Sequence, residues 1–192
     1  MPETIAYMKG WENFYVITGS AAAGLTGLTF VVIALASDAN MVSLTGLRAF
    51  ITPIVIHFGA VLWIASVLSI PGHTALSLEI TLILTALALT VYSVVTVRRM
   101  VANMKQYVPA MQDWIWNATL PWLCCLALLS AGPMVTRHPV EALYLVGIVT
   151  LAMLFIGVHN AWDLAVWITA ERPGRQREQS PPRAAPPPDK PT

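Results

Sequence analysis

The stretch FIGVHNAWDLAVWI, Phe155 to Ile168, closes an apolar run that begins at Val140. That run is longer than the roughly 20 residues a helix needs to cross about 30 Å of hydrocarbon. It nevertheless contains His159, Asn160 and Asp163, three side chains that lipid does not solvate. Working outward from it, comparable apolar runs recur, and five spans are expected at about 14–36, 47–70, 75–97, 114–135 and 140–169. Charged residues are 11% of the chain, less than half the roughly 25% of a soluble domain, and hydrophobic ones are 56%. The solvent of this chain is therefore lipid. The expected fold is all-α: a polytopic membrane protein with a five-helix transmembrane bundle over 14–170, an outer N-terminal segment over 1–13 and a cytoplasmic tail over 171–192.

SAAAG, after an apolar beginning, resembles a signal-peptide cleavage site. However, only Lys9 precedes it, and the strongest apolar block, LTFVVIALA from Leu28 to Ala36, follows it, so a retained first span is expected. Cys124 and Cys125 are adjacent within the fourth span, where they read as small buried hydrophobes rather than a disulfide or a metal pair. The loops are too short to build a soluble catalytic domain. Nothing resembles a Walker loop, a zinc-protease helix or a serine nucleophile elbow. No catalytic residue, metal site or nucleic-acid partner is expected, and no span holds a lysine for a retinal Schiff base.

Positive charge sets orientation. Of the 11 Lys and Arg, Lys9 and Arg137 fall on one side of a five-span chain. Arg48, Arg98, Arg99, Lys105, Arg172, Arg175, Arg177, Arg183 and Lys190 fall on the other. The N-terminus is thus expected outside and the C-terminus in the cytoplasm. Trp114, Trp116, Trp162 and Trp167 gather at the inner boundary and Trp11, Tyr15 and Tyr144 at the outer one, where amphipathic rings prefer to sit. PGHT at 71–74 reads as a tight outer hairpin with His73 a solvated loop residue. The link RRMVANMKQYVPAMQDW interleaves methionines with Arg98, Arg99 and Lys105, the pattern of a short amphipathic helix broken at Pro109. The tail RPGRQREQSPPRAAPPPDKPT has no apolar face and is expected to be disordered, its basic residues held near anionic lipid.

Two constellations stand out. In the first span Ser20 precedes Gly24 by four residues and Ala23 precedes Gly27 by four, a small-xxx-small pattern suited to close helix approach and self-association into a homo-oligomer. The alternative is a narrow wet path lined by hydroxyls, to which a stripe of Ser77, Thr81, Thr85, Tyr92 and Thr96 on the third span could contribute. The second constellation is in the last span, where His159 and Asp163 stand one turn apart with Asn160 beside them. His57, in the second span, lies at a similar depth from the inner end, roughly 14 Å at 1.5 Å per residue. His57, His159, Asn160 and Asp163 are therefore expected to form one buried cluster with Asn117, while Glu79 lies near the outer end of the third span. Bis-histidine haem ligation by His57 and His159 is a lesser alternative, without a supporting motif; otherwise no cofactor is expected.

GSAAAGLTGLTFV near the start and GVHNAWDLAVW near the end resemble segments of a group of small uncharacterised bacterial inner-membrane proteins. The resemblance implies residence in a bacterial cytoplasmic membrane and implies no activity. The residues themselves point first to a channel or transporter for protons or small cations with His159 and Asp163 as its gate, because such groups in low dielectric are the usual parts of a relay. The alternative is a noncatalytic scaffold or accessory subunit in which the same residues clasp helices; a membrane-embedded enzyme ranks third. The charge asymmetry makes one direct prediction. A reporter fused after Thr192 is active if it requires the cytoplasm and silent if it requires the periplasm; the reverse pattern would overturn the orientation.

Overall fold

The computed structural model of the protein describes residues 8–38, 44–103 and 111–179. Among them the chain is helical throughout, with no strand, and five helices are long and apolar enough to cross a membrane. Helix α1 is Glu12–Asp38, preceded by a 3-10 turn at Lys9–Trp11. Helix α2 is Leu44–Leu68 and α3 is Ala75–Asn103. Helix α4 crosses as Met111–Arg137, interrupted by a π turn at Ile115–Thr119. Helix α5 is Pro139–Gln179. The chain is thus a multi-pass membrane helical bundle, as lipid demands, because only helices and closed barrels satisfy every backbone N–H and C=O without water.

The connections follow from local chemistry. Between α2 and α3, Pro71 ends the helix and Gly72 takes φ 79°, a left-handed conformation that a side chain would strain. Thr74 caps α3, its Oγ1 accepting the Ser77 N–H at 3.1 Å. His73 is no solvated loop residue. Its Nε2 lies 2.9 Å from the Val67 carbonyl and its Nδ1 2.7 Å from Ser77 Oγ, so it ties the end of α2 to the start of α3. At the other tight connection His138 leaves the helical conformation and Pro139 opens α5, where a missing N–H costs nothing. These two connections define the hairpin end of the bundle.

Packing order departs from chain order. Helix α2 packs closely on α1 and α5, α5 on α4, and α4 on α3, while the consecutive pair α2 and α3 make few contacts. The main core joins Val61, Ile64, Leu128, Val146, Met153 and Ile156, each no more than 2% exposed, and a smaller one joins Ile54, Phe58 and Leu164. Four close approaches among the described residues depend on glycine, at Gly19, Gly132, Gly147 and Gly157. A Cβ on Gly157 would lie 2.5 Å from the Phe58 ring, and one on Gly19 would lie 2.9 Å from the Ala65 Cβ. Ser20, Ala23, Gly24 and Gly27, by contrast, are all exposed, and a Cβ on either glycine would meet nothing within 4 Å. The buried residues of α1 are Tyr15, Thr18, Gly19, Ala22 and Thr29, so the bundle is packed by positions about 100° round from the small-xxx-small stripe.

The last helix also runs further than expected, to Gln179 rather than stopping near 170. Glu, Arg and Gln are good helix formers, an established helix adds residues readily, and Pro173 removes only one backbone bond. Residues 180–192 and the centre of the α3–α4 link, 104–110, on which the amphipathic helix was expected, lie outside the described residues. Cys124 and Cys125 are buried and free, as their place in an apolar span predicts.

The α2–α5 contact is testable. Gly157→Leu drives a side chain into the Phe58 ring and lowers stability by about 1–3 kcal/mol, read as a reduced thermal midpoint in mild detergent. Combining it with Phe58→Ala, which vacates that space, costs less than the sum of the two single changes. Strict additivity would mean that the two residues do not meet.

Candidate functional site

The polar residues of α5 are placed by the contact just described. Gly157 faces Phe58 on α2, and at 100° per residue His159 is turned about 200° from Gly157, away from α2. Asn160, about 300° round, stays on the interior side and is 7% exposed. The expected cluster therefore divides. His159 and Asp163 point toward α4 and the rim of the bundle, whereas His57 and Asn160 remain inside.

On the rim, His159 Nδ1 is 3.3 Å from Asp163 Oδ2, within ion-pair distance though not aligned as a hydrogen bond. The Nε2 of the Gln112 amide donates to His159 Nε2 at 3.3 Å when His159 carries its proton on Nδ1, toward the carboxylate. The imidazole lies flat on Trp116, ring centroids 3.8 Å apart and planes 11° from parallel. The side chains of His159 and Asp163 keep 20% and 46% of their surface exposed, so this pair is a partly open rim feature rather than a deeply buried one.

Trp116 owes its position to the π turn. Pro121 offers no N–H to the preceding turn, and its ring crowds the carbonyl of Asn117 one α turn earlier, so the backbone widens there. Leu120 N–H then bonds the Ile115 carbonyl, and Thr119 Oγ1 donates to the Trp114 carbonyl at 3.2 Å, both spanning five residues. Asn117 is half-buried on this turn. The sequence carried the signal in WIWNATLPW, since a proline inside an apolar span disturbs the turn before it; the involvement of Gln112 and Trp116 was not foreseen.

Inside, His57 is 4% exposed and its Nδ1–H donates to the Pro53 carbonyl at 2.6 Å, one turn back on its own helix. Among the described residues no hydrogen bond or ion pair joins it to His159, Asn160 or Asp163. Asn160 Nδ2 is buried and has no hydrogen-bond partner among the described residues, and the same holds for Tyr15 Oη near the hairpin end. Glu79 is half-buried near the start of α3, far along the bundle from the rim residues. Among the described residues no hydrogen bond joins the two imidazoles: His57 is bonded to the Pro53 carbonyl and the His159 ring lies flat against Trp116. No group of three or more His, Cys, Asp or Glu among the described residues has metal-holding geometry.

The buried threonine hydroxyls are spent on their own helices, while Ser93 Oγ on α3 lies 3.8 Å from Cys125 Sγ on α4. Thr18 donates to the Phe14 carbonyl at 2.9 Å, Thr29 to Leu25 at 2.8 Å and Thr150 to Val146 at 2.8 Å. No family model matches the chain, and neither the curated proteins nor the solved structures contain a match.

The Trp116–His159 stack predicts a measurable coupling. In a double-mutant cycle of Trp116→Leu and His159→Leu, followed by unfolding in detergent, the coupling energy is about 0.5–1.5 kcal/mol. Additive effects would show that the stack holds nothing together.

Proposed function

We propose that the protein is a non-conducting membrane scaffold or accessory subunit of a bacterial cytoplasmic membrane, with its N-terminus outside and its C-terminus inside. In this reading His159, Asp163, Gln112 and Trp116 clasp α4 to α5 at the cytoplasmic rim. The observation that carries it is the filled core. Between His57 and the hairpin end, the interior consists of fully buried apolar side chains such as Val61, Ile64, Leu128, Val146 and Ile156, and the buried threonines give their hydroxyls to their own helices. A proton or cation path needs polar groups or water continuing across the membrane. The nine-to-two distribution of Lys and Arg supports the orientation. Exposure of Ser20, Ala23, Gly24 and Gly27 on α1, which packs on neighbours along one side only, supports self-association through that helix.

A second reading, conduction of protons or small cations gated by His159 and Asp163, has one observation in its favour: His159 Nδ1 and Asn160 Nδ2 are buried nitrogens without a hydrogen-bond partner, and such atoms can hold water. One assay separates the two. Purified protein in liposomes gives no proton or cation flux above empty vesicles at any pH from about 5 to 8, the range in which histidines titrate. Flux that is present in wild type and lost in Asp163→Asn, a change that keeps shape and removes charge, would replace the scaffold reading with the channel.

A further inference from the structure

The seam between α2 and α3 is the one place in the bundle where chain neighbours fail to close. A cleft of about 810 Å³ lies there, walled by Val55, Gly59 and Trp63 on α2 and by Leu84, Thr85 and Ala88 on α3. It runs from mid-membrane to Ile70 and His73 at the hairpin. Its sides are open to lipid, since Trp63 is 55% and Leu84 61% exposed. One hydrogen bond crosses it, from Trp63 Nε1 to Thr85 Oγ1 at 2.9 Å.

Three features identify an occupant. The first is the chemistry of the wall. Thr81 Oγ1 already donates to the Ser77 carbonyl, Thr85 Oγ1 donates to the Thr81 carbonyl and accepts from Trp63, and both nitrogens of His73 are engaged. The lining offers a polar solute no unpaired donor and offers hydrocarbon an almost wholly apolar surface. The second is width. Val55 and Ile70, 15 positions apart, lie roughly 22 Å apart along the helix, so even the whole space between the walls, about 1410 Å³, averages about 64 Å² in section, whereas a helix of diameter about 10–12 Å needs about 80–110 Å². A helix of a second copy does not enter; a flexible hydrocarbon chain does. The third is position. Ile70 and His73 also border a smaller recess of about 340 Å³ at the hairpin end of the bundle, lined further by Glu12, Ser69, Pro71 and Gly72.

We propose that the α2/α3 seam is a phospholipid-binding site: an acyl chain lies along the slot, and an amine-bearing, net-neutral headgroup sits in the recess beside the Glu12 carboxylate. The exposed carboxylate disfavours an anionic headgroup at the same place. The bound lipid supplies the packing that α2 and α3 do not give one another.

Gly59 provides a clean test, because a Cβ there would meet nothing within 4 Å and a side chain would grow into the slot rather than into the core. The full chain is purified in mild detergent and examined by native mass spectrometry, with extraction and identification of any retained lipid. Wild type carries a phospholipid adduct enriched in ethanolamine headgroups over glycerol headgroups. Gly59→Leu loses the adduct, and so does Ala88→Leu, which fills the slot from the opposite wall. Ile148→Phe, on the lipid-facing surface of α5, retains it, and Glu12→Gln retains a lipid but loses the headgroup preference. Absence of an adduct in wild type, equal retention in both slot-filling variants, or an unchanged headgroup preference in Glu12→Gln would overturn the proposal. So would a wild-type dimer that Gly59→Leu converts to monomer, which would assign the slot to a second copy.

Discussion

Hydrocarbon gives the helices of this chain no hydrophobic reason to prefer one another over lipid, so close steric fit decides which faces meet. The approach of α2 to α5 at Phe58 and Gly157 is the contact on which the remaining geometry hangs. With no side chain on Gly157, the Phe58 ring settles against the α5 backbone, and this fixes the rotation of both helices. Once α5 is held in that rotation, its polar residues have no further freedom. Asn160 stays inside, and His159 and Asp163 swing to the α4 side, where Trp116 and Gln112 receive them.

That rotation also explains how the chain keeps so many polar groups in lipid at low cost. The buried threonines return their hydroxyls to the carbonyl one turn back, which removes the polarity without a partner helix. His57 does the same with Pro53. Asp163 has no such recourse, because a carboxylate cannot donate to a carbonyl when ionised. It therefore sits near the end of the span, half-exposed, where water and headgroups can solvate it.

The number and helical nature of the apolar spans were legible because they depend on hydropathy summed over about 20 residues, a signal that survives ignorance of packing. What the sequence did not fix was rotation. Matching the depths of His57 and His159 used the 1.5 Å rise, and the Phe58–Gly157 contact does set the two within about a turn of each other. Depth is one cylindrical coordinate; the angle about the axis is the other, and it follows from which small residue meets which large one on a neighbouring helix. Angle likewise decides which small residues of α1 serve the bundle itself: Gly19 and Ala22 pack inside, while Ser20, Ala23, Gly24 and Gly27 stay exposed. His73 escapes a sequence reading for a related reason: its partner, the Val67 carbonyl, which also accepts the Ile70 N–H, comes within reach only by the way α2 ends.

Rotation accounts for the open seam as well. Gly59, Ala60 and Ala88 are small enough to let α2 and α3 approach, as two helices joined by so short a hairpin ordinarily would. Trp63 stands among them. Its indole N–H must find an acceptor in hydrocarbon, where no water can serve, and Thr85 across the seam provides one. The ring thus acts as a strut, tying the two helices at a set separation while keeping their backbones apart. Since α2 has already committed its opposite face to α1 and α5, and α3 has committed its own to α4, neither helix can turn to close the gap without giving up the contacts that hold the bundle. A void in a membrane does not stay empty, so what fills this one is a component of the folded state as much as any side chain on its walls.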